Sequence, residues 1–161
     1  MKKIISLIAA FCLFFSLSVY ADVKEDLAKF EQFSQSKEVS EWTILSQEIS
    51  KRIAKVKTVD EGKRLIPLIN NVVERSKILL QALDKLEFDT PELILLREKR
   101  KESNILGMGV MQTMAELFDS KNEKQRNELM QRVQQLQGLM AEKQKEIEQI
   151  NAEIAQKYKV K

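Results

Sequence analysis

The sequence predicts an all-α protein: an antiparallel helical bundle or long helical hairpin with a long, coiled-coil-like C-terminal helix. Three observations predict it. Glycine and proline are scarce, at 4 and 2 in 161 residues, while Leu, Ile, Glu, Lys and Gln dominate. No stretch sustains the apolar–polar alternation of a half-buried strand. Apolar residues recur instead at steps of three and four, most regularly between Ser120 and Tyr158.

The chain opens on an export signal. Lys2 and Lys3 form a positive start, Ile4 to Leu17 is apolar apart from Ser6 and Ser16, and Val19-Tyr20-Ala21 places small residues at the cleavage positions. That apolar run is shorter than the roughly 20 residues a membrane-spanning helix needs. Cleavage after Ala21 would leave residues 22–161 as a single helical domain, periplasmic or secreted and not an integral membrane protein. Cys12 raises a lipoprotein alternative. Phe11 precedes it, where that processing wants a small residue, and Cys12 sits within the apolar part of the signal, so an ordinary cleaved signal is expected.

Asp22 and Glu25 look like a capping pair for a first helix, whose stripe is Val23, Leu27, Phe30 and Phe33. Ser34-Gln35-Ser36 loosens the pattern. A second helix follows through Lys57, with Trp42, Leu45, Ile49, Ile53 and Val56 on one face and Trp42 as core anchor. Thr58 and Glu61 form the next capping signature. The third helix carries Leu65, Leu68, Ile69, Val72, Val73, Leu79, Leu80, Leu83 and Leu86. Pro67 lacks the amide that would bond to Lys63, so this helix either kinks there or begins near Leu65.

Phe88-Asp89-Thr90-Pro91-Glu92 is the strongest boundary, because Thr90 can cap and Pro91 suits the first helical position. The fourth helix then runs towards Phe118, apolar at both ends but REKRKESN from Arg97 to Asn104. The line through Leu93, Leu96, Gly107, Met111 and Met114 also passes Arg100 and Ser103. They mark either a wet gap in the core or a partner-facing groove.

Ser120 and Glu123 look like the cap of the last helix. Its heptad seam places Val133, Met140, Ile147 and Ile154 at one core position and Leu129, Leu136 and Ile150 at the other. Lys143 and Lys157 also fall on the seam, where a lysine weakens pairing. At about 1.5 Å per residue this helix overhangs the third and fourth by a couple of turns, which leaves two arrangements: a closed bundle in which the two short N-terminal helices, end to end, cover the remainder, or a protruding helix that pairs with another copy or a partner. Most of the seam is read as the spine of the molecule's own bundle. The overhang beyond Lys143, with Ile147, Ile150 and Ile154, is the expected contact surface.

Composition excludes much chemistry. The chain has no histidine, and its one cysteine lies in the signal. That removes thiol nucleophiles, His-assisted hydrolysis, typical zinc sites and His-ligated haem from the mature protein. Of 27 Lys and Arg against 24 Asp and Glu, the leader takes Lys2 and Lys3 and no acid, leaving 25 against 24. So balanced a chain gives no global case for nucleic-acid binding. Met108, Met111 and Met114 are the most ligand-like set, since thioethers suit a soft cation such as Cu(I). Their steps of three rotate by about 60° around the helix and converge poorly, and methionine is also a core filler.

The expectation is therefore an exported, cofactor-free, non-enzymatic protein that binds other proteins in the cell envelope, as a chaperone-like, adaptor or inhibitor/immunity module. Its partner would be another protein, or a second copy through the C-terminal helix. Candidate contact residues are Ile147, Ile150, Ile154, Arg100 and Ser103. The alternative is soft-metal, Cu(I) binding by the helical methionines. In size and Met-rich helical character the chain resembles helical periplasmic stress chaperones, but their Leu-Thr-x-x-Gln motif is absent, so the resemblance is one of architecture.

Overall fold

The computed structural model describes residues 23–158. The expected fold class is what it shows: six helices and, among the described residues, no strand. They are α1 (Lys24–Ser34), α2 (Lys37–Ile53), α3 (Val59–Lys63), α4 (Ile66–Asp84), α5 (Pro91–Asp119) and α6 (Glu123–Tyr158). The signal, with Cys12 and its cleavage site, lies outside the described residues.

Local chemistry explains the boundaries. The Ser36 hydroxyl accepts from the Val39 amide and opens α2. The second helix ends at Ile53, earlier than the sequence suggests. At α3, Thr58 Oγ1 accepts from the Glu61 amide at 3.2 Å, and Glu61 Oε2 accepts from the Lys57 amide at 2.7 Å. The third predicted helix is two. A turn at Arg64 and Leu65 separates α3 from α4, and Pro67 sits in the first turn of α4, where its missing amide costs nothing. At the start of α6, Asn122 takes the role expected of Ser120, its Oδ1 accepting from the Lys124 amide at 2.9 Å. Ser120 instead closes α5.

α5 is the centre of the bundle. α6 packs antiparallel along it, α4 lies on another flank, α2 packs on α4, and α3 packs on α5. The register is steady: Glu92 meets Lys157 and Tyr158, Lys99 meets Glu146, Glu102 meets Lys143, and Gly109 faces Leu136. The predicted overhang of the last helix is therefore absent. Its final turn reaches the first turn of α5, because pairing starts at the tight α5–α6 turn and continues to both far ends.

Two apolar cores result, joined at their edge by Leu86 and the Phe30–Phe33 contact. The larger joins α2, α4, the second half of α5 and the first half of α6 through Trp42, Ile49, Ile69, Leu79, Val110 and Val133, among others. Trp42 Nε1 also donates to Ser76 Oγ at 2.8 Å, fixing α2 on α4 with its polar edge satisfied. The smaller core joins Leu27 and Phe30 of α1, Phe88, Leu93 and Leu96 to Ile147, Ile150 and Ile154. Each such buried side chain contributes about 1.5–3 kcal/mol by removal from water.

Gly62 is where α3 meets the end of α5. A methyl group there would run into the Phe118 ring, which is itself buried. Gly62→Ala should therefore destabilise the protein by about 1–3 kcal/mol through overpacking, although alanine is the better helix former. Urea denaturation followed by circular dichroism measures this; an unchanged or higher midpoint would show that the ring moves aside freely.

Candidate functional site

The packing face of α5 changes character along its length. Leu93 and Leu96 enter the smaller core and Val110 and Met111 the larger, while Arg100, Ser103 and Asn104 are buried between them. On α6 the buried Gln137 and the half-buried Gln144 belong to the same middle region of the hairpin. Asn104 Oδ1, Gln137 Nε2 and Gln144 Oε1 have no hydrogen-bond partner among the described residues. Polar atoms placed so cost free energy, and both cores stop at this seam.

Arg100 dominates it. Its guanidinium carbon lies 4.9 Å from the centroid of the Phe30 ring, and burial pulls its pKa down to about 10. It therefore stays cationic at neutral pH. Bringing such a charge out of water costs several kcal/mol, of which a cation–π contact returns about 0.5–2. Phe30 in turn lies 6.3 Å from Phe33 and 6.1 Å from Phe88, ring to ring. This aromatic group carries α1 across the seam.

Asp26 holds α1 in place. Its Oδ2 accepts from the Asp89 amide, the Thr90 amide and the Thr90 hydroxyl, each at 2.8 Å. Thr90 thus stands at the start of α5 as expected, but its hydroxyl is directed to α1 and not to its own helix. Burial alone would raise the Asp26 carboxyl. The Thr90 hydroxyl, the two amides and Lys29 outweigh it and hold the group below the usual carboxylate value.

Outside this joint, the corner between α1 and α2 and the end of α4 border an open cleft of about 390 Å³. Phe33, Ala82 and Leu86 give it an apolar lining, Ile78 stands at 41% exposure, and Lys29, Glu38 and Lys85 supply charge. None of these was singled out for binding by the sequence pattern, because the cleft forms only when α1 turns into α2 beside α4.

The structure also corrects the predicted contact residues. Ile147, Ile150 and Ile154 are 1%, 6% and 1% exposed, because α1 and the start of α5 cover them. They are core, not an open surface. Arg100 and Ser103 are buried in the seam, which favours the gap in the core over the partner-facing groove. Lys143 leaves the seam for its rim, bonding Glu102 at 2.8 Å and Glu146 at 3.0 Å, and Glu102 first, then Glu146, hold its pKa above the usual lysine value. The basic run beside it staples helices together: Lys99 pairs with Glu146, Lys101 with Asp84, and Arg97 donates to the Leu86 carbonyl. Met111 and Met114 are buried in the larger core, and Met108 packs at its margin.

Fold and site thus define a helical bundle with a buried polar seam and an open corner cleft of mixed polar and apolar lining. The chain belongs to the family described as uncharacterised lipoprotein PM1805, whose model matches residues 24–159. No curated protein and no solved structure matches it. Among the described residues no helix is long and apolar enough to cross a membrane. Membership makes this an envelope-associated protein and returns attention to Cys12.

The Asp26 latch has a pH signature. A carboxylate whose folded pKa is depressed contributes stability that is complete above its unfolded value, about 3.9, and is lost as pH falls through the folded value. Asp26→Asn should cost about 1–3 kcal/mol at pH 7, and the gap between variant and wild type should narrow below about pH 4. Denaturant titrations at pH 7 and pH 3 test this; an equal gap at both would show that the charge is immaterial.

Proposed function

We propose that the protein works in the envelope by binding another protein at the corner cleft, as an adaptor, chaperone-like or inhibitor module, and that it is not an enzyme. One observation carries this reading. Phe33, Ala82 and Leu86 line a concavity, Ile78 stands 41% exposed beside them, and Lys29, Glu38 and Lys85 give polar anchors around it. Scattered exposed apolar residues are ordinary on a protein surface, but here apolar side chains are gathered in an open concavity among Gln32, Ser36, Gln81 and the charged groups, a mixture that suits a protein segment. α1, α2 and α4 all contribute, so the cleft has packed helices beneath it and suits one or two apolar side chains of a partner segment.

We further propose that the mature chain starts at Asp22. The family description supplies the competing outcome, a lipid-modified Cys12. Intact-mass measurement of the protein from its native envelope separates them: an unmodified chain from Asp22 is expected, and a diacylated N-terminal Cys12 would replace that reading with a membrane-tethered one.

The contact site is tested with a photo-cross-linking residue at Ile78 or Gln81, compared with Gln135 or Glu142 on the exposed side of α6. A discrete adduct from the cleft positions alone is expected. Ile78→Asp, with the cross-linker at Gln81, should abolish it while changing stability by no more than about 0.5 kcal/mol, the usual range for a surface substitution. Equal adducts at all four positions, or none at the cleft, would refute the site.

A further inference from the structure

The end of the bundle away from the corner cleft carries an unbalanced charge. Between residues 51 and 64, where α2 ends and α3 lies, six cations stand against two acids, Asp60 and Glu61. Gly62 of α3 packs on the Phe118 ring, so the α5–α6 turn brings Lys121 and Lys124 to the same end. The short connection through α3 sets the end of α2 beside the start of α4, whereas the cleft takes the start of α2 and the end of α4. Residues 84–92, on the cleft side, reverse the balance with four acids and one lysine. A chain of formal net charge +3 is thus polarised along its length.

Folding does not use these cations. Lys51, Lys55, Lys57, Arg64, Lys121 and Lys124 are exposed, and none has a carboxylate within 4.0 Å among the described residues. Their neighbour Arg52 pairs only within its own helix, with Glu48. Elsewhere cations tie helices together, as Lys99 does with Glu146, Lys101 with Asp84 and Arg75 with Glu41. The helix macrodipole accounts for Lys51 and Arg52 in the last turn of α2. It does not account for Lys124 in the first turn of α6, nor for Lys57 and Lys121 just before α3 and α6, where positive charge is disfavoured. Like charges gathered this way repel one another, and a surface of opposite sign relieves that repulsion.

We propose that this basic end docks on an anionic phospholipid membrane, held by the headgroup phosphates and not by insertion. The envelope association of the family supplies such a surface, and the docking requires neither the corner cleft nor the cleavage site. The cations are exposed side chains from the end of α2, from around α3 and from the α5–α6 turn, a broad arrangement that meets many headgroups at once. Basic groups near an anionic bilayer add their attractions one by one. Val56 and Ile66 at this end pack on the larger core, which leaves charge as the holding force. Docked so, the protein turns its acidic end and the corner cleft away from the bilayer.

Co-sedimentation of the mature chain with vesicles tests the docking. The wild type should bind vesicles of mixed phosphatidylglycerol and phosphatidylcholine, leave pure phosphatidylcholine vesicles unbound, and detach as salt rises from about 0.05 to 0.5 M. The variant Lys51→Gln/Lys55→Gln/Lys57→Gln/Arg64→Gln should bind about tenfold more weakly or worse. Lys37→Gln/Lys77→Gln/Lys85→Gln/Lys145→Gln removes as much charge away from this end and should bind like the wild type. If the first variant folds poorly by circular dichroism, Lys121→Gln/Lys124→Gln takes its place, with a loss of about threefold or more. Absence of binding to the anionic vesicles, or equal weakening by the variants at the two ends, overturns the proposal. So does release by inorganic phosphate at constant ionic strength, which would make the end a site for a single phosphate group. Tighter binding to polyglutamate than to vesicles of matched charge overturns it too, and would assign the end to an acidic protein.

Discussion

A guanidinium on the packing face of the central helix constrains everything around it. Arg100, with Ser103 and Asn104, lies between Leu96 and Val110 on a buried face whose two ends are apolar. A continuous apolar core is interrupted where a cation is buried, and the apolar contacts divide into two clusters on either side. The ring of Phe30 packs over the guanidinium, and Phe30 needs α1 folded back over the hairpin. α1 in turn needs an anchor, which Asp26 finds in the amides at residues 89 and 90. The position of one helix, the start of another and the protection of three isoleucines thus follow from a single buried charge.

The same chain of contacts positions the surface available for recognition. Phe33 lies 6.3 Å from Phe30, contributes to the larger core and lines the corner cleft, while Leu86 packs against both cores. The cleft therefore sits over the joint between the cores, where α1 turns into α2. The cleft and the docking of α1 depend on each other, since α1 supplies part of the cleft lining.

Much of this fold is legible in the sequence. Stripes of three and four residues identify every long helix, Trp42 as an anchor, and most of the last helix as an internal spine, because burial of a helical face is a local periodic property. Pro67 and Pro91 mark helix starts for reasons of backbone chemistry alone. The misreadings involve relations between elements. Helix lengths suggest an overhang because they do not say where pairing begins. Ile147, Ile150 and Ile154 look available because the cover that hides them, α1, comes from the far end of the chain. Asp26 resembles an ordinary acid in a first helical turn; its partners lie more than 60 residues away. Lys143 falls on a heptad position, yet its flexible stem carries the ammonium to Glu102 at the rim. Arg100 and Ser103 were visible as exceptions on an apolar line, and only packing decides that they form a seam inside the molecule.

The division into two cores is the central claim, and unfolding by two probes tests it most directly. Trp42 is buried in the larger core and reports on it through fluorescence, while far-ultraviolet circular dichroism reports on all six helices. In a urea titration the helical signal should begin to fall before Trp42 emission changes, as α1 and the far ends of α5 and α6 loosen first. Superimposable transitions from the two probes would contradict it, showing one cooperative core that runs through the Arg100 seam without a break.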